Sequence, residues 1–213
     1  MEEIKDFKTP EELFDFVLKE CSDLDYIFEE SVLMLKVKGD TFSGIKILYA
    51  TQLYERFFHK KLKTLRILIK INDLGDDWVY QLDIQSFNVS GIGLTKLPEL
   101  PENLISLDCS MNNISVLPEL PKNLQLLYCE NNKIKELSEL PDTLKILWCQ
   151  KNFLTELPEL PNGLKELSCH SNQIDKLYEL PKKITKHMYS NNPITSEIEK
   201  MGKLKSKLMI KPS

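Results

Sequence analysis

The chain has 213 residues, of which 42% are apolar and 28% charged, and its formal net charge is -4. That length fits one large domain or two small ones, and the mild acidity gives no general case for a nucleic-acid or membrane partner. No apolar run approaches the ~18 residues of a bilayer span, and residues 1–20 alternate charged and apolar positions without the apolar core of a secretory signal. An export signal read by a specialised secretion machine can lack those features. The five cysteines are odd in number and form no CxxC pair, which points to reduced thiols in a cytosol-like compartment.

Residues 1–76 read as a helical N-terminal region. Thr9-Pro10-Glu11-Glu12 is a helix start, with Thr as N-cap, Pro at the first helical position and Glu placed for a capping box. Leu13, Phe14, Phe16, Val17 and Leu18 supply an apolar face to about Cys21. A second helix is expected from about Leu24 to Lys36, ended by Gly39-Asp40. Ile45 to Phe58 and Leu62 to Ile71 read as a third and a fourth helix, although Leu65 to Ile71 also suits a strand. Charge is split, because residues 1–30 are strongly acidic and residues 31–75 basic. One reading is two attracting faces of a helical bundle. The other makes Arg56, His59, Lys60, Lys61, Lys63 and Arg66, with Phe57, Phe58 and Leu62, a basic amphipathic surface.

From residue 77 to 196 the chain repeats with a period of 20. Leu97-Pro98-Glu99-Leu100-Pro101 returns from Leu117, Leu137, Leu157 and Leu177, with Ser138 and Tyr178 replacing a proline. Each return is followed in step by the pattern LxxLxCxxNxI, first as Leu104, Leu107, Cys109, Asn112 and Ile114. Three further copies keep it, and the fifth is degraded to Ile184, His187, Tyr189, Asn192 and Ile194. A degenerate first unit, 77–96, carries Ile84, Phe87, Val89, Ile92 and Leu94. Leu107 and Cys109 are two apart, so both lie on one face of a strand. Too little chain remains for a full crossover helix, and the prolines predict an extended, polyproline-like return. Stacked units then form a parallel sheet in which each turn covers its neighbour. The asparagine column, Asn112 to Asn192, falls where the chain leaves the strand and is expected to hold backbone groups of adjacent turns. The tail, 197–213, places Ile198, Met201, Leu204 and Leu208 among lysines and is expected to plug the open end.

These residues resemble the shortest class of leucine-rich repeat, LPxLPxxLxxLxxxxNxL, known from secreted effectors of Gram-negative pathogens, with Cys-containing variants in giant DNA viruses. The resemblance covers residues 97–196. It implies an α/β leucine-rich-repeat solenoid with parallel strands on the concave face, preceded by a helical N-terminal capping region. It also implies a binding surface, a protein partner such as a host protein, and a setting in the cytoplasm, including that of a host. Some such effectors add a large ubiquitin-ligase domain with a catalytic Cys-x-Asp. Here Cys21-Ser22-Asp23 spells that triplet, but in the wrong region and without a surrounding domain.

Strand alternation leaves Ser106, Asp108 and Ser110 outward, with later triplets Leu126/Tyr128/Glu130, Ile146/Trp148/Gln150 and Glu166/Ser168/His170. Two adjacent rungs are thus apolar and aromatic between polar ones. Exposed apolar clusters with polar rims mark interaction sites, and Trp and Tyr dominate binding hot spots. The expected partner site is Leu126, Tyr128, Ile146 and Trp148, rimmed by Asp108, Glu130, Gln150 and His170. The competing reading is that these residues are shielded within the protein or by a second copy. The cysteine column is inward, and a straight ladder of thiols cannot surround a tetrahedral zinc. His59, His170 and His187 are scattered, no phosphate loop or nucleophile–base pair is present, and no cofactor or catalysis is expected. The sequence therefore reads as a non-enzymatic protein-interaction module. The alternative is an adaptor whose N-terminal helices recruit a second machine, such as a ubiquitin ligase.

Overall fold

In a computed structural model, the structure describes residues 8–18, 24–29, 32–37, 44–58, 60, 62–67, 74–75, 79–176 and 180–194. The expected tail plug and Cys21 lie outside these residues. Helix α1 (Pro10–Leu18) starts as its sequence demands: Glu12 N donates to Thr9 Oγ1 at 3.3 Å, and Lys8 N donates to Glu12 Oε2 at 2.8 Å.

The expected second helix is absent. Residues 24–37 instead form an antiparallel hairpin, β1 (Leu24–Glu29) with β2 (Val32–Val37). Tyr26, Ile27, Phe28, Val32 and Val37 are aromatic or β-branched, and these residues favour a pleated, half-buried surface. The fold also rewards a strand here, because the strand Thr64–Ile67, which pairs with the first repeat, would otherwise present an unpaired sheet edge. Helix α2 (Gly44–Phe58) then crosses to β3 (Thr64–Ile67), which pairs parallel with β2. Leu62 to Ile71 is thus not a helix, and the strand alternative holds over Thr64–Ile67. Leu13 and Phe14 are fully buried, and Phe14, Phe28, Tyr54 and Phe58 make an aromatic core with ring centroids 5.1 to 5.9 Å apart. Phe58 packs into that core and Leu62 is buried, so neither contributes to an exposed basic amphipathic face.

Six three-residue strands continue the sheet: β4 (Ser86–Asn88), β5 (Ser106–Asp108), β6 (Leu126–Tyr128), β7 (Ile146–Trp148), β8 (Glu166–Ser168) and β9 (Lys186–Met188). One hydrogen-bonded sheet runs in order from β1 to β9, parallel throughout except for the first hairpin. The middle residue of each rung, from Phe87 through Leu167, faces the core, as do the cysteines. Among the described residues the return segments carry no helix or strand, and each closes a tight turn on its second proline, as where Leu144 N donates to Pro141 O at 2.9 Å. In the final rung Ile184 is only half-buried and His187 is exposed, because no described turn covers them.

The asparagine column stitches successive turns. Asn152 Oδ1 accepts from Ile134 N at 3.0 Å, while its Nδ2 donates to Cys129 O at 3.0 Å and Cys149 O at 3.1 Å. Asn112, Asn132, Asn172 and Asn192 repeat the arrangement, and all five are buried. The residue before each asparagine pays for this geometry, since Met111, Asn131, Lys151, Ser171 and Asn191 all have φ between 55 and 57°. Gly91 holds the same place in the first unit, with φ 69°. A left-handed conformation costs an L-residue ~1–2 kcal/mol, partly offset by the extra chain entropy a glycine loses on folding. Lys151→Gly is therefore expected to raise stability by about 0.5 kcal/mol in a urea titration, and a loss would show that the lysine side chain contributes more than its backbone strain.

Candidate protein-binding face

The outward side chains form columns at the strand spacing. Tyr128 and Trp148 are register partners, and their rings meet edge to face with centroids 5.0 Å apart and planes at 81°. Leu126 and Ile146 pair directly beside them and are half-buried. Trp148 is 37% exposed, although a three-residue strand leaves it ample neighbours to pack on. The pair therefore keeps ring surface in water that a partner could cover.

Polar side chains lie on either side of the pair. Asn88 Nδ2 donates to Asp108 Oδ2 at 3.0 Å, and Ser110 donates from N and Oγ to Asp108 Oδ1 at 3.1 and 2.7 Å. Ser110, read as outward, is buried under this network. Oε2 of Glu130 and Oε1 of Gln150 are buried and, among the described residues, have no hydrogen-bond partner. Burial pushes the Glu130 carboxyl above the usual carboxylate range, its own backbone hydrogen bond opposes this, and Asp108 adds to it. Burial likewise pushes the Tyr128 hydroxyl up, reinforced by Asp108, Glu166 and Glu130. The carboxyl groups of Asp108, Glu130 and Glu166 thus surround the aromatic pair.

On the far side of Trp148 a hollow of about 270 Å³ opens over Ser168, walled by Trp148, His170, His187 and Met188. Lys186 Nζ and Glu166 Oε1 close one edge at 2.8 Å, and His170 Nδ1 lies 3.1 Å from Ser171 Oγ. Sequence reasoning missed this hollow, although the signal was present: a serine stands one rung after a tryptophan in the same column. A wider hollow of about 920 Å³ lies on the outer side, between Leu157, Leu160, Leu180 and Pro181. Among the described residues it gathers no aromatic side chain.

The four described thiols, Cys109, Cys129, Cys149 and Cys169, are buried and free. Burial pushes the first three well above the ordinary thiol value and Cys169 to about 12, so none is a nucleophile at neutral pH. Among the described residues no group of His, Cys, Asp or Glu side chains is placed to hold a metal, and no helix is long and apolar enough to cross a membrane.

Stacked parallel strands, a buried asparagine column and a 20-residue turn define a leucine-rich-repeat solenoid of about six turns behind an N-terminal region containing α1 and α2. Among solved structures the chain is similar to the leucine-rich-repeat domain of a Shigella effector, with 28% identity and a TM-score of 0.60 over 71% of this chain and 69% of that one. It is also similar to YopM from Yersinia enterocolitica WA-314, at 34% identity and a TM-score of 0.54 over 62% of this chain and 28% of YopM. YopM from Yersinia pestis, a leucine-rich effector protein, matches at 26% identity and a TM-score of 0.59 over 87% of this chain and 49% of that protein. The chain thus spans less than half the length of either YopM. No family model and no curated protein matches it.

Proposed function

We propose that this protein is a non-enzymatic interaction module that holds a protein partner against its strand face, with Tyr128 and Trp148 as anchors. The observation that carries this reading is the aromatic pair on the strand face, with Trp148 exposed and Tyr128 half-buried beside it between rungs that are mostly polar. Covering large aromatics removes roughly 150–250 Å² each from water, and such residues account for the largest truncation losses at interfaces. Leu126 and Ile146 extend the apolar centre, and Asp108, Glu130, Gln150 and His170 form the rim. The negative rim opposes nucleic acid, whose phosphates would meet carboxylates. Similarity to pathogen effectors makes a host protein in the host cytoplasm the natural partner, a compartment that suits free thiols.

The test is affinity purification from host-cell extract, followed by titration of the captured partner. Trp148→Ala is expected to weaken the complex more than tenfold, roughly 1.4 kcal/mol. Unchanged affinity in a folded variant removes the aromatic pair from the site. Because Ser168 floors the adjoining hollow, Ser168→Leu fills it and is expected to weaken binding without loss of thermal stability. In the adaptor alternative the N-terminal region recruits a second machine, and a co-purifying protein lost on deleting residues 1–75 would favour it.

A further inference from the structure

We infer, building on the reading above, that the bound partner presents a basic segment and lays an arginine or lysine side chain across Tyr128 and Trp148, beside Asp108 and Glu130. The charge pattern selects this occupant. The outward positions from β4 to β8 and the residues just after them supply Asp108, Glu130 and Glu166 but no lysine or arginine. Lys186, on β9, is already tied to Glu166 at 2.8 Å. Arg66, in the same column on β3, sits two strands away from Asp108, with Asn88 between them. Among the described residues neither Asp108 nor Glu130 has an ion-pair partner.

Three further observations bear on the same spot. Glu130 is half-buried and its Oε2 has no donor among the described residues, so a cation brought against this carboxylate offsets part of the cost of its burial. The carboxylates flank the exposed Trp148 and half-buried Tyr128 rings, and the π-faces of Trp and Tyr attract ammonium and guanidinium groups lying over them. An aliphatic stem of Lys or Arg also packs on Leu126 and Ile146 while its head reaches the carboxylates. A purely apolar partner would cover the rings but would desolvate Asp108 and Glu130 with no countercharge, and Asp108 would keep only its hydrogen bonds from Asn88 and Ser110.

The experiment selects random linear peptides displayed on phage against the full-length protein. Peptides whose capture is lost with Trp148→Ala are then resynthesised and titrated against the wild-type chain. Selected sequences should be enriched in arginine or lysine. Replacing that arginine with citrulline, or that lysine with acetyl-lysine, should weaken binding at least tenfold, and raising the salt concentration should weaken the parent peptide more than its neutral analogue. Because these changes are made in the peptide, they hold the protein's fold constant. Trp148-dependent peptides with no basic enrichment, or equal affinity of the neutral analogue, would overturn the cation and leave the aromatic docking site standing. A selection yielding no Trp148-dependent peptide would overturn both.

Discussion

Raising the pH from about 8 to about 10 is expected to remove about 5 kcal/mol of stability, a large share of the 5–15 kcal/mol typical of a folded domain. The cause is the thiol ladder. Cys109, Cys129, Cys149 and Cys169 are buried against one another, and burial raises each above its ordinary value near 9. In the unfolded chain these thiols ionise as the pH passes about 9, whereas in the folded chain they keep their protons. The unfolded state then binds fewer protons than the native state, so stability falls as pH rises. The ladder's contribution is intact below pH 9 and is lost between that value and the raised native values, beginning with Cys169 at about 12. Each thiol contributes a limiting slope of ~1.4 kcal/mol per pH unit. Urea titrations at several pH values measure this directly. Cys149→Ala should lower stability at neutral pH through its small cavity, yet flatten the alkaline slope by about one quarter. A slope unchanged in that variant would assign alkaline unfolding to other groups.

Asn152→Ala is expected to cost about 3–5 kcal/mol, because a single amide satisfies buried groups on two turns. Its loss strands Ile134 N where solvent does not reach, and leaves Cys129 O and Cys149 O with one amide donor each, from Asn132 and Asn172. In a stack whose turns contact only their neighbours, damage to a central turn separates the halves on either side. Asn192→Ala should cost less, since the turn around it is already partly exposed and has no described turn beyond it. Denaturant unfolding of the two variants gives the comparison. Equal small losses would mean that leucine packing, and not the amide column, holds the turns in register.

The repeats were legible in the sequence because every turn states the same constraint at the same spacing. A column of leucines two residues from a column of cysteines, followed by asparagine, leaves one stacking geometry. The same register correctly placed Tyr128 beside Trp148, since strand neighbours differ by one period. The N-terminal hairpin was not legible in the same way. Residues 24–37 carry a short apolar run that fits either a helix or a strand, and the sheet edge awaiting a partner lies far along the chain at β3 and β4. Tertiary pairing decided between them. Ser110 and Ser168 are more covered than strand alternation suggests, because Asp108 caps the first and Trp148 and Met188 flank the second. The left-handed residues were hidden because only the first unit spells its turn with glycine.

The claim on which the functional reading depends is that the strand face is the working surface. Oxidative footprinting of the protein, alone and with its captured partner, reads that surface at individual side chains. Trp148, and to a lesser degree Tyr128, should be modified in the free protein and protected in the complex, while Tyr80, exposed in the degenerate first unit, keeps its reactivity. Protection of Tyr80 with Trp148 and Tyr128 left reactive would contradict the account and move the binding surface off the sheet.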